Sequence, residues 1–425
     1  MTHHVILGAG PAGVIAAETI RKHAPNDRIT LVGDEPEAPY SRMAIPYLLI
    51  GNIDERGTWL RKGATHYADL RIDSVRGRVT QVDAKGRKVV LDKGEALPFD
   101  TLLIATGSHP IRPPIPGIDS PGVLPCWTLA DARQIMDRAK PGARVLQMGA
   151  GFIGCIIMEA LASRGVQLSV VEMGDRMVPR MMGPTAGGMI KDWCEAKGVS
   201  VFTQTKVEAI EPGTPLKVRL SGGHTVEAEL VISATGVRPA IGFLENSGIT
   251  CLLGVLTDEH LQTNVPGIYA AGDCAEAFDK VSGKTIVSAI QPNAAEQARV
   301  AALNMVGQRA SLRGVTQINV LDTLGLISAS FGDWQGSPGG DHVEITDRKA
   351  QRHLSLQFKD DVLVGCNSIG WTEHVGAMRG LVEGQVRLGE WKEVLQRDPT
   401  QLMPAYLATA QAQNAWSGPA DTRRR

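Results

Sequence analysis

Cysteine is scarce and scattered in this 425-residue chain: the six, at positions 126, 155, 194, 251, 274 and 366, never come closer together than 23 residues. That spacing excludes CxxC redox pairs and zinc ribbons, and a disulfide scaffold has no purpose at this length. No metal site is expected. Long apolar runs are missing too, none reaching the ~18–20 residues of a membrane-spanning helix. The opening Met1–Leu7 has neither the basic flank nor the cleavage signature of a secretory signal. The expectation is therefore a cytoplasmic protein without membrane insertion. Neither sign of charge dominates, since 44 Lys+Arg stand against 45 Asp+Glu. A nucleic-acid binder usually carries a basic excess, so that class is set aside. Hydrophobic residues at 43% and charged residues at 21% are those of a folded globular protein.

Glycine, by contrast, is plentiful: 47 residues, about 11% against a usual ~7%, demand many tight turns or close backbone approaches. Much of it falls in a unit written twice. Val5-Ile6-Leu7 runs into Gly8-Ala9-Gly10-Pro11-Ala12-Gly13, a helical stretch to about Lys22, a second apolar run Ile29–Val32, and then Asp34 and Glu35. Downstream, Val145–Met148 runs into Gly149-Ala150-Gly151-Phe152-Ile153-Gly154, a helix to about Arg164, Leu168–Val171, and Glu172. Each half later ends an apolar strand in Ala-Thr-Gly, at Ala105-Thr106-Gly107 and Ala234-Thr235-Gly236. Short apolar strands alternating with helices predict parallel-sheet α/β units. The proline-rich stretch from Ser108 to Gly117 reads as a linker between lobes.

A GxGxxG between strand and helix sets a pyrophosphate on the helix N-terminus. The first glycine makes the turn, the second admits the phosphates, and the third lets helix and strand pack. One match is weak evidence, because glycine turns are common. Here both copies meet an acid further on, 21 positions after Gly13 and 18 after Gly154, placed to accept hydrogen bonds from a ribose. Two turns mean two dinucleotides. Glu172 would repel a 2′-phosphate, so NADH is expected over NADPH, although Arg176 and Arg180 lie close behind it.

Val265-Pro266-Gly267-Ile268-Tyr269-Ala270-Ala271-Gly272-Asp273 adds a third element. With it the chain resembles the two-dinucleotide flavoprotein reductases of the pyridine nucleotide–disulfide oxidoreductase superfamily. The specific motifs cover about residues 4–310. The resemblance implies an α/β fold of two Rossmann-like three-layer dinucleotide-binding domains plus a C-terminal α+β interface domain. The implied FAD-binding domain is residues 1–112 with 247–312, the NAD(P)H-binding domain 113–246, and the last domain 313–425. FAD is implied on Gly8, Gly10, Pro11, Ala12, Gly13, Asp34, Glu35, Arg42, Val79, Ala105, Thr106, Gly107, Gly272, Asp273, Gln291 and Pro292. NADH is implied on Gly149, Gly151, Phe152, Ile153, Gly154, Glu172 and Gly236. Asp273 as a plain helix cap, and Arg42 as a solvated surface residue, are the blander alternatives.

Within that superfamily, the single-cysteine branches have their thiol where Met43 stands. A thioether forms no thiolate, so thiol chemistry is excluded there. What is left is similar to the cysteine-free branch of ferredoxin and rubredoxin reductases and the flavin portion of assimilatory nitrite reductase. Tyr40-Ser41-Arg42 and the Asn293–Arg299 segment match that branch. Its lysine and glutamate near the flavin are replaced by Tyr47 and Ile156. Hydride transfer needs no acid, base or nucleophile, since the cofactors carry the chemistry, and no catalytic side chain is expected.

The expected function is an FAD-dependent NADH oxidoreductase feeding an iron–sulfur or other redox protein, or a larger reductase or oxygenase. An NADH oxidase or quinone-type reductase is an alternative. So is a non-catalytic NADH-sensing flavoprotein resembling apoptosis-inducing factor. In the C-terminal lobe, Ile318–Ser330 and Leu354–Cys366 look strand-like around the Gly336–Gly340 turn, and Val375–Val394 helical. Leu388, Trp391, Val394 and Leu395 have the spacing of a docking helix, and a homodimer is plausible. His374 could act on an acceptor or be structural, and Trp371 could shield the flavin or pack the core. The Asp421–Arg425 tail is expected to be disordered.

Overall fold

A computed structural model describes residues 1–315 and 317–412, so the Asp421–Arg425 tail lies outside the described residues. The chain divides into two compact units. One comprises residues 1–111, 127–129 and 237–315. The other comprises 112–126, 130–236 and the C-terminal stretch.

In the first unit a five-stranded parallel sheet has the spatial order Ile268–Ala270, Thr101–Ile104, His3–Leu7, Arg28–Gly33, Ile72–Arg76. Its edge strand Ile72–Arg76 exposes Asp73, Ser74 and Arg76, whereas the inner strands are largely apolar and buried on both faces. Alternation sorts them: Ile6, Ile29, Leu31 and Leu103 pack with the helices Pro11–His23 and Gln291–Met305. Val5, Leu7, Leu102 and Ile104 pack on the other side, with Val82, Val89, Leu91 and Leu97 of an antiparallel three-stranded meander. Helix, sheet and meander are the three layers.

The second unit repeats this plan. Its parallel sheet runs Ser200–Phe202, Gln167–Val171, Arg144–Met148, Leu230–Ser233, Val123–Leu124. A meander of Val207–Glu211, Leu216–Leu220 and Thr225–Ala228 covers one face. Only the fifth strand differs in origin, coming late in the chain in the first unit and early in the second. The same unit holds a five-stranded antiparallel sheet ordered Ile318–Thr323, Leu326–Gly332, Val362–Ile369, Arg352–Lys359, Asp341–Asp347.

Ser108–Pro110, in the proline-rich stretch, is one side of a two-stranded ribbon with Val237–Pro239, and the two units divide just after it, between Ile111 and Arg112. Four readings are corrected. Ile318–Ser330 is a hairpin, turning at Leu324 (φ 53°) and Gly325 (φ 87°). Leu324 gives no turn signal; the left-handed pair is held by Gly325 N–H donating to Asp322 Oδ1 at 2.9 Å. Leu354–Cys366 likewise spans two strands, broken at Asp360 (φ 51°). The helix expected over Val375–Val394 is two, Val375–Gly384 and Trp391–Arg397, with Gln385 left-handed between them. Leu388 and Leu395 are buried, Trp391 and Val394 half-buried, and Leu388 lies outside the helix, so the four do not form one exposed docking stripe.

Two histidines open the first strand. His4 is fully buried, with Nδ1 2.7 Å from Thr101 Oγ1 and Nε2 3.2 Å from Asp27 Oδ2. Desolvation pulls both imidazoles below their ordinary range, aided at His3 by Arg28 and opposed at His4 by Asp27. A lowered folded pKa means that the unfolded chain takes up protons first on acidification. The contribution is whole above the ordinary value of 6.5 and is lost as pH falls below it. The unfolding midpoint is expected to drop between about pH 7 and about pH 5, with a shallower drop in His4→Gln. An identical slope in the variant would remove His4 from the account.

Candidate dinucleotide-binding sites

In the first unit Gly8 sits at φ 112°, its N–H on Val32 O at 2.8 Å; a Cβ there would lie 2.1 Å from Ala105 O. A Cβ on Gly13 would lie 1.8 Å from Gly8 O, whereas one on Gly10 meets nothing within 4 Å. Gly10 caps the helix with no side-chain bond, and Pro11 and Ala12 fill its first turn. The N-terminal N–H groups and the positive end of the helix dipole are thus left to an anion.

The second unit has the same geometry. A Cβ on Gly149 (φ 96°) would lie 2.4 Å from Ala234 O, one on Gly154 2.5 Å from Gly149 O, and one on Gly151 again meets nothing. Phe152 and Ile153 open its helix. The recurrence of Ala-Thr-Gly thereby has a physical reason: its alanine carbonyl is the wall against which the first glycine turns. Gly107 and Gly236, the last residues of each tripeptide, are both left-handed, at φ 66° and φ 111°.

Around the first turn the acids are already engaged. Glu35 accepts hydrogen bonds from Tyr40 Oη and Arg42 Nη2, and the Arg42 guanidinium lies over the Trp127 ring at 5.1 Å. Asp34 lies 3.4 Å from Arg78 Nε, both exposed, and Val79 beside it packs on the meander core. Thr106 Oγ1 donates to Ala240 O at 2.8 Å. Asp273 Oδ2 accepts from Ser108 Oγ at 2.8 Å. Burial raises the Asp273 carboxyl above its usual range, against the pull of the Ser108 hydroxyl and the Arg42 charge. Gly272 N–H donates to Gln297 Oε1 at 2.7 Å, and Ser41 Oγ to Gln291 Oε1 at 2.8 Å, where Gln291 and Pro292 begin their helix. The structure therefore brings Glu35, Tyr40 and Arg42 together with Trp127, and Asp273 with Ser108. The Trp127 and Ser108 contacts escaped sequence reasoning because they come from distant segments without a motif.

At the second turn Glu172 Oε2 accepts from Ala150 N–H and Oε1 from Gly174 N–H, each at 2.8 Å. Each oxygen keeps further lone-pair capacity. Arg176 spends its guanidinium on Met182 O, at 2.8 Å, and on Asp175, while Arg180 is exposed. Gln147 was also unforeseen. Fully buried, it donates from Nε2 to Gly149 O and Gly154 O, each at 2.9 Å, so it braces the turn from below. Ile6 holds the matching place in the first half.

The model of the pyridine nucleotide-disulphide oxidoreductases matches residues 2–301. The chain belongs to this family. It is 29% identical over 363 residues to the epsilon subunit of an NADH-dependent phenylglyoxylate dehydrogenase of Aromatoleum evansii, covering 85% of this chain and 86% of that protein. It is 32% identical to an NADH oxidase of Methanocaldococcus jannaschii, over 72% of this chain and 70% of that one. The solved ferredoxin reductase for the CYP199A2 system of Rhodopseudomonas palustris superposes with a TM-score of 0.80 at 26% identity, covering 87% and 91% of the two chains.

This oxidoreductase uses FAD and NADH, and the two open glycines, each at a helix start free of side-chain caps, fit one pyrophosphate apiece. Despite the family name, it holds no disulfide. Burial pushes the Cys126 and Cys194 thiols up to about 12 and Cys274 to about 11, and raises Cys155, Cys251 and Cys366 as well. None is a thiolate at neutral pH. Among the described residues no cluster could hold a metal ion, and no helix is long and apolar enough to cross a membrane. His374 precedes the helix Val375–Gly384, its Nδ1 buried without a hydrogen-bond partner, as is Trp371 Nε1. The Arg352 guanidinium stacks over the Trp371 ring at 4.7 Å.

Proposed function

We propose that this oxidoreductase draws electrons from NADH and delivers them, by way of FAD, to a small iron–sulfur or other redox protein, or to a larger reductase or oxygenase. One observation carries the reading. A full pair of dinucleotide turns stands in a chain whose cysteines are unpaired thiols, five of them buried and Cys251 half-buried with its pKa raised, so no sulfur relay intervenes before the acceptor. The fold shared with a ferredoxin reductase supports a protein acceptor. Bound flavin takes a hydride and gives electrons up singly or in pairs.

The chain's own residues bind and orient. Residues 1–112 and 247–312 would hold FAD, its pyrophosphate at Gly8–Gly13 with Arg42 as counter-charge, its adenosine ribose at Asp34 and Glu35, and its ribityl chain at Asp273. Residues 113–246 would hold NADH, with the pyrophosphate at Gly149–Gly154 and a ribose at Glu172. Residues 313–425 remain for an interface with the acceptor or a second copy.

Anaerobic mixing with NADH is expected to bleach the flavin absorbance within one turnover time, and a small iron–sulfur protein to restore it much faster than buffer alone. Failure to bleach overturns the reading. Oxygen consumption at the full turnover rate without any protein partner would assign a small-molecule acceptor instead, as the similarity to an NADH oxidase suggests.

A further inference from the structure

Asn367 is an amide in the middle of a core strand, Val362–Ile369, with only 2% of its surface exposed. A buried amide is costly unless its hydrogen bonds are made, and these are made largely to another part of the unit. Its Nδ2 donates to Met181 O at 2.9 Å and to Ser330 Oγ at 3.1 Å, and its Oδ1 accepts from Gly183 N–H at 2.8 Å. Met181 and Gly183 end the loop that begins at Glu172. That loop is fastened elsewhere too: Glu172 takes the Ala150 and Gly174 N–H groups, Val178 N–H donates to Ala150 O at 2.8 Å, and Gly174 O and Glu172 O accept from Gln204 N–H and Thr205 N–H. Ala150 lies inside the glycine turn. Val178 makes its bond from a left-handed conformation, φ 49°, which a β-branched residue adopts only under constraint from its surroundings. Gly183 in turn caps the helix Pro184–Ala196 and has no side chain with which to set its own place.

We propose that Asn367 is a positioning residue for NADH. By clamping Met181 and Gly183 it keeps the loop in the register that holds Val178 on Ala150 and orients Glu172 and Arg180 toward the adenosine end of the cofactor. The inference rests on the assignment of the Gly149 turn to NADH. It makes the C-terminal sheet part of the NADH site, although none of its residues lies in a dinucleotide motif. An apolar residue would fill the same volume, as Leu363 and Ile369 do on this strand, but would leave Met181 O and Gly183 N–H without these partners.

The test uses the flavin-loaded full chain and ADP-ribose, which reports adenosine-side binding by calorimetry without turnover. In Asn367→Leu the Kd for ADP-ribose and the KM for NADH are expected to rise together by roughly fivefold to thirtyfold. The kcat at saturating NADH should stay within about twofold, with flavin content unchanged. Asn367→Ser, which stays polar but is too short to span both loop atoms, should show the same split and serves if the leucine variant does not fold. Ile369→Val, on the same strand and away from the loop, should lower the melting temperature without moving the Kd. An unchanged Kd in a folded Asn367 variant overturns the proposal, as does an equal Kd rise in Ile369→Val. Wild-type protein that binds no ADP-ribose at all would instead overturn the parent assignment of the Gly149 turn.

Discussion

Gly13→Ala is expected to yield a chain that purifies without its yellow colour. The new methyl carbon would sit 1.8 Å from Gly8 O, a backbone atom that no side-chain rotation can move aside. Relief must come from separating the helix from the strand, which moves the N-terminal N–H groups away from the pyrophosphate they would hold. Flavin absorbance per protein should fall at least about tenfold, with purified FAD unable to restore it. The informative comparison is Gly10→Ala. Its methyl meets nothing within 4 Å, so the protein should fold with near-normal stability, and any loss of flavin reports the ligand's own approach to the backbone. If Gly13→Ala retained full flavin, the first turn would not be the FAD site. If Gly10→Ala retained it too, the phosphates would not pass over that position.

Glu172→Gln is expected to weaken discrimination between the nicotinamide cofactors. The amide keeps one acceptor oxygen for an N–H group of the loop but removes the negative charge. For like charges near the protein surface about 4 Å apart, repulsion amounts to a few kcal/mol. The ratio of kcat/KM for NADPH to that for NADH should therefore rise by roughly tenfold to a hundredfold. The gain should be greatest at low ionic strength, because salt screens exposed charges. Arg176 is not free to exploit the change, its guanidinium being turned back onto Met182 O and Asp175. An unaltered ratio would show that some other group reads the 2′ position.

Much of this was legible in the sequence because it is local. A glycine that must adopt φ 112° against a carbonyl, and one that must let a helix touch its own turn, leave few alternatives in residue type. Two such turns, each followed by an acid, announced two dinucleotides and the parallel sheets that carry them. Buried strands were equally plain as continuous apolar runs. The hairpins of the C-terminal lobe were not, because their turns rest on Leu324 and Asp360 in left-handed conformations that the hydrogen-bonded surroundings impose. The stripe of Leu388, Trp391, Val394 and Leu395 has helical spacing, yet the chain between Gln385 and Glu390 bends to bury Leu388.

By itself, then, the sequence determined the twin α/β halves, their glycine turns and the thioether in place of a thiol at Met43, since each depends on residues close together in the chain. Only the tertiary structure decided that Trp127 lies under Arg42, that Ser108 holds Asp273, and that Gln147 and Asn367 brace the second turn and its loop. Except at Gln147, whose partners lie two and seven residues on, those contacts join segments far apart in the chain. A buried polar group is satisfied by whatever partner the fold delivers to it, and no spacing rule encodes that delivery.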